Sequence, residues 1–279
     1  ATTDLLTDGI HFDLRYISFF QLGAKALLVN ISDIAAMAGI PKYALIAIAV
    51  PDNIKVEELN EIYRGIKKTA SAYKVSIIGG DTSGSKNGLM ISITLLGEAK
   101  QGNIVKRDGA KPGDKIFVTG TLGDSSAGLE LLKKGKRKGF LINRHIRPTP
   151  RLKEAYFIAQ NMLATSMIDI SDSLSTDLNH ICEQSRVGAV IYEDRIPLSK
   201  ELKKAEFKKG PLHYALSGGE DYELLFTVKK KNVKNIYDAI SRNRLSATMI
   251  GEITKKGLLL VDREGVQRPL LPTGFNHFK

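Results

Sequence analysis

Carboxylates that stand beside glycine or hydroxyl residues at the edges of apolar segments are the side chains best suited to chemistry in this sequence. They are Asp4 in TTDLL, Asp33 in NISDIAAM, Asp81 in IIGGDTSG, Asp169 and Asp172 in MIDISDSL, and Glu220 and Asp221 in LSGGEDYELL. A carboxylate is costly to bury without a partner. Divalent cations that prefer oxygen ligands would reconcile several of them, and Mg²⁺ is usually held by a few carboxylates plus substrate phosphates. The pattern is therefore compatible with a magnesium site that handles phosphate.

Each of these carboxylates also has a simpler interpretation when it is taken alone. Asp33 lies on a helix pattern and could belong to a polar stripe. Asp81 follows two glycines and could cap a helix or occupy a turn. Ser171 or Asp172 could cap the helix that follows, and for either residue singly capping is the better interpretation. Spacing alone leaves open whether the carboxylates converge.

Two segments could contact a phosphate group. GGDTSGS (79–85) offers backbone N–H groups in a predicted glycine-rich turn, and Arg107 and Lys111 supply positive charge within KRDGAKPGD (106–114). No stretch matches a P-loop, a dinucleotide-binding fingerprint or the protein kinase motifs. The histidines lack zinc-ligand spacing, and no G-x-S-x-G is present. Any nucleotide must therefore be bound by another architecture.

Composition bounds the class of protein. The chain has 279 residues, 43% of them apolar and 25% charged, which suits one large or two modest domains. Cys182 is the only cysteine, so an intrachain disulfide is impossible and a reducing, cytoplasmic setting fits best. The N-terminus does not resemble a signal peptide, and no apolar run approaches the length of a transmembrane helix.

The formal net charge of +11 first suggests a nucleic-acid partner. The lysines, however, fall in short runs at 132–139, 203–210 and 228–234, without an aromatic-interleaved basic motif. An anionic small molecule explains the charge equally well. We therefore expect neither nucleic acid nor a membrane as a partner.

The elements that must position these residues mix strands with helices. Apolar spacing predicts helices at 20–38, 56–70, 125–133, 149–161, 174–184 and 232–241. Apolar or β-branched runs predict strands at 1–12, 43–51, 74–78, 88–99, 188–193, 223–228, 246–253 and 257–262, with a further strand inside 106–120. The strand at 74–78 is expected to end at Gly79-Gly80. A change of character near Gly102 predicts two domains, 1–102 and 103–279, in an α+β (mixed α/β) fold.

Taken together and in order, the motifs resemble the thiamine-monophosphate kinase family. Its superfamily of ATP-dependent enzymes includes aminoimidazole ribonucleotide synthetase and selenophosphate synthetase. The matching stretches are TTDLLTDGIHF, KALLVNISDIAAMAG, IIGGDT, RDGAKPGDKIFVTGTLGDSSAGL, RPTPR, MIDISDSLSTDL, ALSGGEDYELLFTV, IGEI and TGFNHF. They cover nearly the whole chain. GGDT recurs across the superfamily, whereas DGIHF, GGEDYELLF and GFNHF point to the thiamine enzyme.

The resemblance implies ATP- and Mg²⁺-dependent phosphorylation of thiamine monophosphate to thiamine diphosphate, in a cleft between two domains. The fold would be that of aminoimidazole ribonucleotide synthetase, dimeric through the N-terminal ATP- and metal-binding domain. Several magnesium ions would be held by Thr2, Thr3, Asp4, Asp33, Asp81, Asp169 and Asp172. ATP would contact Gly80, Asp81, Arg107 and Ser171, and the thiamine phosphate would contact His11, Glu220 and Phe275. No general base is assigned, because the acceptor phosphate oxygen is already ionised at neutral pH.

Two features depart from the family pattern. A segment ending in a Gly-Asp-Asp-like motif, whose aspartate also binds metal, normally precedes the first strand, whereas the sequence here starts at Ala1 within that strand. Ser173 stands where the family has glycine, and we expect a local adjustment without loss of binding. Two alternatives stay open: another ATP-dependent enzyme of the superfamily, and a non-catalytic homologue that binds nucleotide or thiamine phosphates.

Overall fold

Two β-sheets, one from each half of the chain, organise the computed structural model, which describes residues 1–274. The first sheet has four strands in the spatial order β1-β4-β2-β3. They are β1 (Thr2–Thr7), β2 (Ile40–Pro51), β3 (Ser76–Ser85) and β4 (Met90–Glu98). β4 runs antiparallel to both of its neighbours, whereas β3 runs parallel to β2. This mixed sheet therefore has β1 and β3 as its edges.

Two long helices, α1 (Phe19–Ala36) and α2 (Val56–Tyr73), pack against each other and against one face of this sheet. α1 begins at a capping box, in which the Ser18 side chain accepts a hydrogen bond from the backbone N–H of Gln21 and the Gln21 side chain accepts one from Ser18. The cap satisfies backbone donors that the first turn leaves free. The start of α1 is thus set by local chemistry.

α1 is the central helix of the first core. Leu22, Leu27 and Ile31 are fully buried along it. Gly23 permits close contact with α2, because a Cβ there would lie 2.0 Å from the carbonyl oxygen of Ile62. By length and composition α1 could cross a membrane, but 78% of it is buried inside the fold. Burial in the core accounts for its apolar character.

The second sheet has seven strands in the order β11-β10-β7-β9-β5-β8-β6. They are β5 (Lys115–Thr119), β6 (Ala164–Asp169), β7 (Gly188–Tyr192), β8 (Leu224–Val228), β9 (Ala247–Thr254), β10 (Leu258–Val261) and β11 (Gln267–Pro269). All neighbouring pairs are antiparallel except β10 and β7. β6 is an edge strand, and it ends at Asp169.

Seven helices accompany this sheet among the described residues. They are α3 (Asp124–Lys133), α4 (Phe140–Ile146), α5 (Leu152–Gln160), α6 (Leu174–Ser185), α7 (Lys200–Lys204), α8 (Pro211–Ser217) and α9 (Val233–Ser241). Ile142 and Ile146 of α4 join the core of the first half, together with Leu132 and Tyr222. The two halves therefore share a packed contact.

The predicted mixed α/β class and each of the predicted helices are confirmed, with small shifts at their ends. The predicted end of the third strand is wrong: β3 continues through Gly79 and Gly80 to Ser85, because the glycines pair with β2 along an exposed edge. The expected glycine-rich turn is therefore a strand. The short elements α4, α7, α8, β6 and β11 were not predicted. The boundary near residue 103 stays a prediction, within the segment that links Glu98 to Lys115.

Candidate active site

Three aspartates from three elements converge at one end of α1. Asp4 lies on β1, Asp33 near the end of α1, and Asp169 at the end of β6. The Thr2 hydroxyl donates a short hydrogen bond to Asp33 Oδ2, and the Ser32 hydroxyl donates one of 2.6 Å to Asp169 Oδ2. These five residues are here called the aspartate cluster. It brings carboxylates from both halves of the chain together, as the sequence interpretation required.

The carboxylates of the aspartate cluster have too little positive charge nearby to offset their burial and their mutual repulsion. Burial first and then the charge of Asp33 raise the pKa of Asp4 to about 7. Burial, then Asp33, raise the pKa of Asp169 to about 7, against the hydrogen bond from Ser32, which lowers it. Burial also raises the pKa of Asp33, although Thr2 and Arg107 oppose the shift. A cation placed among these groups would remove the repulsion.

Arg107 lies beside this cluster. A cavity of about 490 Å³ is lined by Asp33, Asp169 and Arg107, and by Lys106 and Gln184 at its rim. The side chain of Arg107 is exposed, and its charge lowers the pKa of Asp33. The cavity therefore joins a carboxylate wall to a basic wall, an arrangement that suits a metal-bound polyphosphate.

The loop from Ser171 to Ser173 begins α6 beside Asp169. The backbone N–H groups of Ser171, Asp172 and Ser173 each donate 3.1 Å hydrogen bonds to Asp177 Oδ2. Asp177, which sequence reasoning missed, thus holds the loop and leaves the Asp172 side chain partly exposed. Ligand atoms of Asp172, Asp177 and His180 all lie within 4.8 Å of one another. The loop presents Asp172 without using it as the cap.

Ser173 is the residue that caps α6. Its hydroxyl accepts a 3.1 Å hydrogen bond from the Thr176 backbone N–H and contacts the Thr176 hydroxyl at 3.0 Å. Its φ of 175° is extended backbone, which any residue adopts. The local adjustment expected at this departure from the family glycine is therefore a helix cap, with no backbone strain.

Glu220 is hydrogen-bonded to this loop through its backbone, and His11 lies within electrostatic reach of Glu220. The Glu220 backbone N–H donates a 2.7 Å hydrogen bond to the Ser171 carbonyl oxygen. His11 Nδ1 accepts a 3.0 Å hydrogen bond from the Thr7 backbone N–H. Burial raises the pKa of Glu220, but Lys25 first, then His145 and to a smaller extent His11 bring it below its ordinary value. The two residues assigned to the thiamine phosphate therefore share one region, and Ser171 links it to the aspartate cluster.

The neighbours of Glu220 in the sequence have structural roles. Asp221 accepts hydrogen bonds from the backbone N–H groups of Gly123 (2.6 Å) and Ser125 (3.1 Å), at the start of α3. Glu223 is fully buried and paired with Arg144 and Arg151. These two carboxylates hold the scaffold and do not face the cavity.

Three predicted site residues lie apart from the aspartate cluster in this chain. Thr3 points to the opposite face of the sheet from Asp4, because side chains alternate along a strand, and its hydroxyl contacts Thr94. Gly80 and Asp81 lie on β3, separated from β1 by β4 and β2, which corresponds to about 14 Å at three strand spacings. Gly80 needs to be glycine there, since a Cβ would lie 1.8 Å from the Ile46 carbonyl oxygen.

Phe275 lies outside the described residues. Just before it, the backbone N–H groups of Thr273 and Gly274 donate to the side-chain oxygens of Ser175 (3.2 Å) and Thr176 (3.1 Å) on α6. The chain therefore reaches residue 274 beside the loop that carries Asp172.

Besides Asp177, sequence reasoning missed Ser32 and the pair Lys25 and His145. A lysine on an otherwise apolar helix was the available signal for Lys25.

Comparisons with known proteins find similar domains, relatives and a similar solved structure. Residues 1–99 match the AIR synthase related protein, N-terminal domain, and residues 111–262 match the corresponding C-terminal domain. Thiamine-monophosphate kinase of Aquifex aeolicus is 40% identical over 99% of this chain and 87% of its own length, and that of Bacillus subtilis is 35% identical over 99% and 87%. The structure of AaThiL complexed with AMPPCP and TMP superposes with a TM-score of 0.87 at 40% identity, covering 99% of this chain and 86% of that one.

Proposed function

Because the chain belongs to the family of thiamine-monophosphate kinases, we propose that it transfers the γ-phosphoryl group of ATP to thiamine monophosphate, giving thiamine diphosphate. The observation that carries the proposal is the convergence of Asp33 and Asp169 at a cavity that Arg107 also lines, with Asp4 close enough to raise the pKa of Asp169. A relative of the same fold binds an ATP analogue together with TMP. The chemistry and the geometry therefore support the same reaction.

The donor set of the aspartate cluster fits magnesium. It offers hard carboxylate oxygens from Asp4, Asp33 and Asp169, and their raised pKa values signal a shortage of positive charge. Asp172 would add a further oxygen ligand from the neighbouring loop. Bound magnesium ions supply charge neutralisation between the two anionic phosphates.

The chain's own residues would bind and orient the two substrates. Arg107 would meet the polyphosphate of ATP, and the Ser171 loop would lie beside it. Glu220 and His11 would contact the thiamine phosphate on the other side of that loop. In-line phosphoryl transfer depends mainly on position and charge, so no general base is needed for an acceptor phosphate oxygen that is already ionised.

The proposal includes a homodimer formed through the first sheet. The sheet face opposite the helices exposes apolar side chains: Leu5, Ile40, Tyr43, Leu45 and Leu96 are 53%, 47%, 44%, 41% and 37% exposed. An exposed apolar patch of this kind is typical of a protein interface. A second copy bound to this face would also cover the edge strand β3, which carries Gly80 and Asp81. Sedimentation velocity should show a dimer, and Leu45→Glu should shift it towards monomer.

Substrate chemistry and cysteine content favour a cytoplasmic setting. ATP is the proposed co-substrate, and Cys182, the single thiol, is buried and unpaired by any disulfide.

The test of the reaction is direct. The purified protein is incubated with ATP, Mg²⁺ and thiamine monophosphate, and thiamine diphosphate is quantified by chromatography. We expect product, and a large loss of it in Asp172→Asn. Binding of both substrates without product would support the non-catalytic alternative, and full activity of Asp172→Asn would refute the metal role of that residue.

A further inference from the structure

Glu220 differs from the carboxylates of the aspartate cluster because it forms an ion pair with a buried lysine. Lys25 of α1 is 1% exposed, and its Nζ lies 3.0 Å from Glu220 Oε2. A fully buried ammonium group needs an anionic partner to offset its desolvation. Among the described residues Glu220 is the only carboxylate paired with Lys25. The pair joins the first half of the chain to the second.

His145 contacts the same carboxylate oxygen. Its Nδ1 lies 3.1 Å from Glu220 Oε2 and 3.1 Å from the Ser125 hydroxyl. Burial, and then the positive charge of Lys25, lower the pKa of His145 to about 3, so the ring is neutral. A neutral ring can donate one N–H, and the carboxylate is the stronger acceptor in reach. Lys25 and His145 therefore both act on Oε2.

Lys25 and His145 both contact Oε2 of Glu220, and within residues 1–274 neither of them contacts Oε1. Oε1 takes no part in the contacts with Lys25 and His145, and the side chain is 26% exposed. The backbone of Glu220 is also set in place, with φ at 63° and its N–H on the Ser171 carbonyl oxygen. A left-handed non-glycine residue is maintained only where its surroundings determine it.

We propose that Lys25 is a positioning residue that reserves Glu220 for the organic part of the substrate and keeps it out of the metal site. The inference rests on the proposed function. Lys25 already neutralises Glu220, so this carboxylate has little charge left to attract a divalent cation. Its second oxygen can still accept a hydrogen bond from the amino group of thiamine. The aspartate cluster, which has no such buried lysine, retains its affinity for metal.

The test is a double-variant cycle on the full chain. Lys25→Met, Glu220→Gln and the double variant Lys25→Met/Glu220→Gln are compared with the wild type, with Lys134→Met as the matched control. Lys134 pairs with Glu130, and its side chain is 51% exposed, so its loss removes a surface ion pair that includes neither Lys25 nor Glu220. The measured quantities are KM for thiamine monophosphate, KM for ATP, and the magnesium concentration for half-maximal activity.

We expect Lys25→Met to raise KM for thiamine monophosphate by about tenfold to a hundredfold, the usual cost of disturbing a charged hydrogen bond. KM for ATP should stay within about twofold. In the Glu220→Gln background, where Lys25 has already lost its anionic partner, Lys25→Met removes the unpaired buried charge and should change KM for thiamine monophosphate by less than about twofold, because the two residues act as one unit. Lys134→Met should change none of these values.

Two results would overturn the inference. One is an equal rise of both KM values in Lys25→Met, which would indicate a general structural role. The other is a further loss of about tenfold in the double variant relative to Glu220→Gln. If Lys25→Met does not fold, the comparison of the double variant with Glu220→Gln decides alone. If the wild type forms no thiamine diphosphate, the proposed reaction fails, and the same cycle is read from Kd values for thiamine monophosphate measured by calorimetry.

Discussion

Two sets of carboxylates that look alike in the sequence have opposite surroundings in the fold. In the aspartate cluster, Asp33 accepts a hydrogen bond from the Thr2 hydroxyl and Asp169 one from the Ser32 hydroxyl, neither forms an ion pair within residues 1–274, and Asp4 adds to the repulsion. In the loop after α8, Asp221 caps α3 and Glu223 binds two arginines. The difference shows that burial alone does not identify a functional carboxylate. Nor does a raised pKa, since burial raises the pKa of Asp221 to about 7 as well. The convergence of several carboxylates at one cavity does.

The largest effect on stability should come from replacing Glu223, the buried carboxylate that is paired with two arginines. Glu223→Gln leaves the partly buried Arg144 and Arg151 without their common anion. We expect a loss of about 3–5 kcal/mol in the free energy of unfolding, as when one partner of a buried ion pair is removed. Urea denaturation followed by circular dichroism measures it. Wild-type stability would mean that Glu223 is not the anchor that the geometry indicates.

Removing a carboxylate from the aspartate cluster should lower activity without lowering the stability of the fold. Asp33→Asn removes one carboxylate from the aspartate cluster but keeps an oxygen that can accept the hydrogen bond from Thr2. We expect kcat/KM to fall by about 10²–10³-fold, which is typical of losing transition-state charge stabilisation. The metal-free melting temperature at neutral pH should stay the same or rise. A large fall in both quantities would assign Asp33 to the scaffold instead.

The raised pKa values in the aspartate cluster predict that the stabilisation of the fold by magnesium depends on pH. The pKa of Asp4 and of Asp169 is about 7 in the fold, against an ordinary value of 3.8. Groups with raised pKa values stabilise the fold fully below their ordinary pKa, and this contribution is lost as pH rises through about 7. Magnesium should therefore raise the melting temperature more at about pH 8 than at about pH 5, by a few degrees. An equal magnesium effect at both pH values would contradict the shifts.

Ser173 offers the smallest and most specific test. Ser173→Ala removes the cap of α6 and should cost about 1 kcal/mol, whereas Ser173→Gly should cost only a few tenths. Thermal denaturation resolves the first change. Activity should persist in the glycine variant, since glycine is the residue that the family pattern has here. A loss of activity in Ser173→Gly would show that the serine does more than cap.

Much of this could be predicted from the sequence, because local patterns carry the main helices and strands. Apolar spacing predicted α1 and α6, and the short motifs predicted the carboxylates of the aspartate cluster. What failed depended on tertiary pairing: Gly79 and Gly80 lie in a strand only because β2 lies beside them. Likewise, Lys25 pairs with Glu220, which lies 195 positions later in the sequence, and no local spacing predicts such a contact.

Asp81 shows the same limit at the site. Its sequence context matches that of Asp33, yet it lies on an exposed edge strand apart from the aspartate cluster. Local chemistry suggests which residues can bind a metal, whereas topology decides which of them meet within one chain. The metal role of Asp81 therefore stays a prediction tied to the proposed dimer.

The central claim is that the carboxylates short of positive charge are the ones that hold metal. The most direct measurement is the anomalous scattering of manganese in crystals grown with Mn²⁺, a non-hydrolysable ATP analogue and thiamine monophosphate. We predict manganese peaks among the carboxylates of Asp4, Asp33 and Asp169, and none at Asp221 or Glu223. The absence of manganese from the aspartate cluster, with both substrates bound beside it, would contradict the account.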